Sequence, residues 1–523
     1  DVEREKLTDR KLKNYRKFIE NIYRDKALQD YVSQLDYGLL EIAFYFAIKW
    51  DLERKLGKAK GKRGRKDNSL DGGSASETET LIKPITLDQY YGGAGLLFNR
   101  WDIAQFYVAL KTKGFVILSG ISGTGKTKLA QYFAKLIEGR DEQTHIFLSV
   151  RPDWTDPKHL IGYYNPITDE YVNKDFINFL KRAYEEYKRE GRNAKPYIII
   201  LDEMNLAHVE YYFSDFLSIL ESGRDSKCLT EESIKIHSID KLENEGVPME
   251  LNLPPNLYIV GTVNIDETTY TFSPKVLDRA FTIEIHNVDL DKYGELGKEH
   301  REKEGGGDDL AEKLRSSIIE DLKGGNNEFI RRTFTCVSKE DILKAIEKLR
   351  EKEDSYFKFL NILNMALKPF DLHFGYRVVD EITLFYINAM ESWRKEIVGF
   401  ESEDEIFDLA IKMKILPKFH GNRRRLEKPL LILLELLKRR DKQDEKVEDY
   451  RDLGRRGVEE LYKTVFGAEY GLDLISVVTE KIEDIEKSLA RGEGHSEYRF
   501  KHTALKCLRM LRSLYETGYT SFY

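Results

Sequence analysis

Gly120-Ile121-Ser122-Gly123-Thr124-Gly125-Lys126-Thr127 has the spacing G-x-x-x-x-G-K-T. Glycines at these positions let the backbone curl so that successive N–H groups point inward at phosphate oxygens. On that reading Gly120, Ser122, Gly123, Thr124, Gly125 and Lys128 belong to a nucleotide-binding set. Lys126 reaches the β and γ phosphates, and the Thr127 hydroxyl is a ligand for Mg2+. The bland alternative is a glycine-rich turn. The flanks argue against it, because an apolar run, Phe115–Leu118, precedes the loop and a helical pattern, Thr127–Ile137, follows it.

Further along, Tyr197-Ile198-Ile199-Ile200-Leu201 runs into Asp202 and Glu203. A buried strand ending in two carboxylates suits a phosphate site. Asp202 would hold Mg2+ directly or through water. Glu203 would activate the attacking water, since phosphoryl transfer needs an oriented nucleophile more than covalent help. Another apolar run, Leu257–Val263, ends in Asn264, which could orient that water or simply terminate a strand. Arg279, in Leu277-Asp278-Arg279-Ala280-Phe281, could complete a neighbouring subunit's site as an arginine finger. It could equally form a surface ion pair with Asp278 or another acid. The run Arg423-Arg424-Arg425 could contact nucleotide or DNA, or be a solvated helix flank.

Elements must position these groups. Phe115–Leu118, Ile146–Val150, Tyr197–Leu201, Leu257–Val263 and Phe281–Ile285 are strand candidates, with helical stretches between several of them. That alternation predicts a covered parallel sheet, an α/β fold. Beyond about residue 290 the pattern turns helical. Helices are predicted over 308–322, 339–349, 356–367, 378–392, 406–415 and 430–439, and the tail is helical as well. Residues 1–56 read as an N-terminal helical segment, and 57–81 as a flexible linker rich in Gly, Ser and charge. The chain opens at Asp1 rather than Met, so we expect a fragment of a longer protein.

The chain has 523 residues, too many for one core. Charged residues make up 33%, above the roughly 25% usual for soluble proteins. The net charge of −7 supplies no global field toward nucleic acid. No apolar run reaches the roughly 18 residues of a membrane span. Cys228, Cys336 and Cys507 are widely spaced and odd in number. They suggest neither a disulfide framework nor a metal site, so a cytoplasmic, reducing location is expected.

The order of loop, Asp-Glu strand, Asn strand and Arg is similar to the AAA+ layout. Residues 197–221 resemble the corresponding segment of McrB-type proteins, the motor subunits of methyl-directed (type IV) McrBC restriction systems. So do 151–166, 261–281, 372–380 and 412–425, within a resemblance that covers about 82–435. It implies an AAA+ large α/β nucleotide-binding domain at 82–290, a small helical lid at 291–440 and a C-terminal helical extension at 441–523. It matches Asp202 and Glu203 to the Walker B pair and places Asn205 in its extension. Asn264 matches the Asn of the family's MNTADR motif, and Arg279 its trans-acting arginine. Arg377 looks like the sensor-2 arginine of the lid. The family's preference for GTP makes Mg2+ and GTP the expected cofactors, with ATP as the alternative. This chain departs by reading Val263-Asn264-Ile265-Asp266-Glu267-Thr268 in place of MNTADR.

The resemblance further implies a homohexamer, translocation on double-stranded DNA and a McrC-type endonuclease partner. Modified sites would be read by an N-terminal domain absent from this chain. No nuclease site is legible, so no intrinsic DNA cleavage is expected. The alternative is a MoxR- or dynein-like ATPase that remodels protein complexes.

Overall fold

All five apolar runs form strands: Phe115–Gly120 (β1), His145–Ser149 (β2), Tyr197–Asp202 (β3), Leu257–Asn264 (β4) and Phe281–Glu284 (β5). They make one parallel sheet in the order β2-β3-β4-β1-β5. The computed structural model describes residues 85–523 except 140–142, 224, 226–227, 245, 266–269, 271, 287, 289, 291–306, 324–338, 352–355, 440–452, 472, 493–495 and 523. The expectations for 1–56, for 57–81, for Asp266, Glu267 and Thr268, and for Cys336 lie outside the described residues.

β1, β3 and β4 are buried along nearly their whole length. A strand covered on both faces needs apolar side chains at every position, which is why these runs do not alternate. Their side chains still divide by parity. Val116, Leu118, Ile198, Ile200 and Val260 enter one core, while Phe115, Ile117, Ile199, Leu201 and Ile259 enter the other.

Around the sheet lie Arg100–Lys113 (α1), Lys126–Glu138 (α2), Asp175–Glu190 (α3) and the short Ser214–Ile219 (α4). Gly114, at φ 73°, ends α1 and turns the chain directly into β1. The helical part comprises Gly307–Leu322 (α5), Lys339–Arg350 (α6), Tyr356–Leu367 (α7), Tyr376–Arg394 (α8), Glu403–Lys414 (α9) and Arg423–Leu436 (α10). Val458–Phe466 (α11), Leu474–Arg491 (α12) and Lys501–Thr517 (α13) follow. Residues 82–523 form one compact unit. One core runs without a break from the α1–α2 face of the sheet through α7, α8, α9, α10, α12 and α13.

Buried charge helps to fasten these layers. Asp321 of α5 is fully buried and lies 2.8 Å from Lys111 of α1 and 2.8 Å from Lys395, just past α8. It also accepts hydrogen bonds from Tyr107 and Ser392. Burial alone would raise its pKa, but the two lysines hold it below the usual value. At the other end of the helical layer, the Asp408 carboxylate of α9 accepts the N–H groups of His502 and Thr503 at the start of α13. An anion there meets the positive end of the helix dipole.

Three local expectations need correction. α10 begins at Arg423, seven residues before the predicted Leu430, with Asn422 accepting from the Arg425 N–H as its cap. Pro429 therefore sits inside the helix and forfeits only the bond to the Arg425 carbonyl. Two short antiparallel hairpins, Gly162–Asn165 with Glu170–Asn173 and Ser233–Lys235 with Glu250–Asn252, were not predicted. Their strands are too short and too exposed to leave a hydropathy signature. Finally, Cys228 is disulfide-bonded, against the expectation of unpaired thiols. Sequence spacing says nothing about which distant cysteines a fold brings together, so the cysteines no longer argue for a reducing compartment. Among the described residues Cys507 is a free cysteine, and it is buried. No helix among them is long and apolar enough to cross a membrane.

Candidate nucleotide site

The chemistry collects at the carboxyl ends of β1, β3 and β4, where ligands of open α/β sheets bind. Register does the positioning. Gly120 at the end of β1 lies opposite Asn264 at the end of β4, and Leu201, just before Asp202, lies opposite Gly261. Loop, carboxylate pair and Asn264 are therefore neighbours by strand pairing alone.

The loop leaves β1 through glycines whose positive φ disfavours a side chain. Gly120 has φ 147°, and a Cβ there would lie 2.2 Å from the Ile285 carbonyl oxygen. Gly125 has φ 88° and caps α2, with the Phe98 ring 3.1 Å from where its Cβ would be. Lys126 is buried, and its ammonium donates to the carbonyls of Gly120 (2.9 Å) and Ile121 (2.6 Å). Burial lowers its pKa, while the charges of Asp202 and Glu203 act in the opposite direction. Ser122, Gly123 and Lys128 are exposed on the same loop and first turn.

Thr127 Oγ1 donates to Asp202 Oδ1 at 2.8 Å. Thr262 Oγ1 donates to the same oxygen at 2.7 Å. A carboxylate and a hydroxyl at hydrogen-bonding distance are hard oxygen donors of the kind Mg2+ takes, so these residues fit that ion. Glu203 adopts φ 53°, ψ 48°, a left-handed conformation unusual for a residue with a side chain. Its N–H donates to Thr262 Oγ1 (3.0 Å), and Asn264 Nδ2 donates to its Oε1 (3.0 Å). Asp169, Asp371 and Glu396 also have positive φ, so the backbone alone does not single Glu203 out; its place beside Asp202, Thr262 and Asn264 does.

Asn205 is buried and donates from Nδ2 to the Asn264 carbonyl at 3.0 Å, tying the turn after β3 to the end of β4. Met204 packs so tightly against β4 that a Cβ on Gly261 would lie 2.5 Å from its sulfur. Thr262 was not singled out in the sequence. Its signal was available, since it precedes Asn264 by two residues and so shares that residue's face of the strand.

The two arginines lie elsewhere. Arg279 precedes β5 at the amino end of the sheet, where Lys113 donates to the Asp278 carbonyl. Its guanidinium pairs with Glu221, just past α4, and donates to the Lys275 carbonyl. Of the alternatives open to Arg279, an ion pair is present, and its acid is Glu221. Arg377, at the start of α8, donates to Glu221 Oε1 at 2.8 Å and lies 3.9 Å from Asp278. These contacts join Arg377, which resembles the lid's sensor-2 arginine, to Arg279 through Glu221. Partial burial raises the Glu221 pKa, but the two guanidiniums overcome this and hold it below its ordinary value. Arg423 is engaged structurally, paired with Glu427 and donating to Tyr470, while Arg424 and Arg425 are exposed.

Part of the chain matches a known domain family. Residues 115–282 match the AAA domain of the dynein-related subfamily, and 329–519 match a domain of unknown function (DUF8727). Over 189 residues the chain is 24% identical to the type IV methyl-directed restriction enzyme EcoKMcrB subunit of Escherichia coli (strain K12). That alignment covers 36% of this chain and 38% of the relative. The crystal structure of a candidate ATPase from Cytophaga hutchinsonii aligns with TM-score 0.36 and 14% identity, covering 63% of this chain and 86% of that one. The domain match at 115–282 falls on the sheet, the loop and the carboxylate pair together: this part of the chain has the α/β P-loop fold of a nucleoside triphosphatase, similar to an AAA domain, and a helical part follows it.

Proposed function

We propose that this chain is the motor portion of a ring-forming AAA+ nucleoside triphosphatase of the restriction type. Asp202 Oδ1, which receives the Thr127 and Thr262 hydroxyls beside Glu203 and Asn264, is the observation that carries the hydrolytic part. The N–H groups of Gly120, Ser122, Gly123, Thr124 and Gly125 bind the phosphates. Lys126 moves from its carbonyl partners to the β and γ oxygens, and Lys128 lies on the adjoining turn. Thr127 and Asp202 would hold Mg2+, which would neutralise charge on the phosphate oxygens. Glu203 takes a proton from the attacking water, and Asn264 fixes the direction of its carboxylate. Arg279 acts on a neighbouring subunit's nucleotide. GTP is favoured slightly over ATP.

The likeness to the methyl-directed restriction subunit supports a homohexamer that translocates double-stranded DNA and activates a McrC-type endonuclease, in the cytoplasm. The dynein-related domain match supports a second reading, a MoxR-like ATPase that remodels protein complexes. One assay separates them. Hydrolysis of GTP and of ATP is measured with and without a McrC-type endonuclease subunit. The restriction reading expects binding and stimulated hydrolysis. Neither binding nor stimulation would leave the remodelling reading.

A further inference from the structure

Glu405, Asp408 and Lys412 follow one another along the face of α9 that meets α13. The two carboxylates are matched there. Glu405 lies 3.3 Å from His502 Nε2, and Asp408 accepts the N–H groups of His502 and Thr503. Lys412 is not matched. It is only 8% exposed, yet among the described residues its ammonium has no hydrogen bond and no ion pair. An ammonium held out of water without an acceptor is costly.

Lys412 faces a cleft of about 400 Å3, continuous with solvent, that is bounded by β5, α1, α9, α12 and α13. Two carboxylates share this cleft, and both are engaged elsewhere. Asp102 of α1 accepts from Asn99 and from Gln105, each at 2.9 Å. Glu284 of β5 pairs with Lys506 of α13 at 2.6 Å. Burial alone would raise the Glu284 pKa, but Lys506 and then Lys412 hold it below its ordinary value. Lys412 therefore acts on that charge from a distance, without bonding to it.

Lys506 and Arg509 of α13 line the same cleft. Lys506 gives one hydrogen bond to Glu284, and Arg509 one to Glu486 at 2.7 Å. Most of their N–H groups are left unspent. Three cations from two helices thus converge on one space with donors to spare. A phosphate group suits such a place, because several oxygens on one small centre let cations from different helices bond it at once. No residue of 120–128 lines the cleft, so it is apart from the phosphate loop. Ile285, next to Glu284, nevertheless donates its N–H to the Ser119 carbonyl at 2.8 Å, just before that loop.

We propose that this cleft binds a phosphate group, free or carried on a small organic molecule, with the Lys412 ammonium as its anchor and Lys506 and Arg509 as further donors. The bound group would join the edge strand of the sheet to the C-terminal helices. The inference goes beyond the nucleotide hydrolysis proposed above and does not depend on it.

The full chain carrying Lys126→Met, which disables the phosphate loop, is titrated with inorganic phosphate by calorimetry at constant ionic strength. A single saturable site is expected. Adding Lys412→Met should weaken it at least about tenfold. The melting temperature in phosphate-free chloride buffer should not fall, because an apolar side chain replaces an unpaired ammonium. Arg509→Gln, nearer the solvent, should weaken binding several-fold, and it keeps the test decisive if Lys412→Met does not fold. A nucleoside monophosphate titrated in parallel separates the two sources. Tighter binding of the ester than of the ion shows that the group arrives on a larger molecule, and weaker or equal binding that the free ion is taken. No phosphate binding by Lys126→Met, or equal affinity with and without the Lys412 ammonium, overturns the inference. So does complete displacement of phosphate from the wild type by a slowly hydrolysed triphosphate analogue, which would make the cleft part of the nucleotide site.

Discussion

Glu203 is the residue on which the proposed chemistry depends most directly. Its left-handed conformation is one that costs a residue with a side chain about 1–3 kcal/mol. The Thr262 hydroxyl on its N–H and the Asn264 amide on its carboxylate hold it there. Glu203→Gln should lower kcat by about 100-fold or more while nucleotide still binds. Thr262 acts through others, accepting from the Glu203 N–H and donating to Asp202. Thr262→Val should lower kcat roughly tenfold with little change in KM, about 1.4 kcal/mol of transition-state stabilisation. Thr262→Ser should restore most of it, and a serine variant no better than valine would show that the hydroxyl is not what matters. The loop, Asp202 and Glu203 were legible in the sequence because their spacing is constrained by phosphate geometry. Glu221 was not, since nothing local marks an ordinary glutamate whose two partners lie 58 and 156 positions away.

Among the elements, β4 shows how packing and site are joined. Gly261 leaves room for Met204, whose turn carries Glu203 and Asn205. Gly261→Ala should destabilise the protein by about 1–3 kcal/mol through overpacking, read from urea unfolding. β1, β3 and β4 were recognisable because covered strands are nearly uninterrupted apolar runs, whereas β2 is partly exposed and β5 carries Thr282 and Glu284. The hairpins and the true start of α10 were not, because they depend on tertiary contacts and on a proline that the surrounding helix tolerates. Between helices, the buried Asp321 pairs with the buried Lys111 and with Lys395 at the surface. Asp321→Asn leaves Lys111 and Lys395 with Glu391 as their remaining shared anion and should destabilise by about 1.5–3 kcal/mol. Its folded pKa is lowered, so its contribution is complete above the ordinary carboxylate range. That contribution is lost as the pH falls through the folded value, and wild type and Asp321→Asn should converge in acid unfolding curves. A constant gap at every pH would contradict this account of the triad.

Over the whole molecule, the sheet and the helical layers share one core, so the helices carrying Arg377 are built against the strands that carry the site. The sequence distinguishes a strand-rich half from a helix-rich half. It does not reveal that continuity, because hydropathy shows which faces are apolar and not which faces meet. The polarity of the parallel sheet divides the chemistry. Carboxylates and phosphate loop lie at the carboxyl ends, while Arg279 and Arg377 lie near the amino end. Turnover per subunit should therefore rise with protein concentration until rings saturate; a specific rate independent of concentration down to monomers would contradict a shared site.

The most direct test of the central claim is Mg2+-dependent phosphate release from GTP and ATP by the wild-type chain and Glu203→Gln at saturating nucleotide. The account predicts release by the wild type from at least one nucleotide, and loss of that release in the variant with nucleotide binding retained. No release from either nucleotide, or equal release by both proteins, would contradict it.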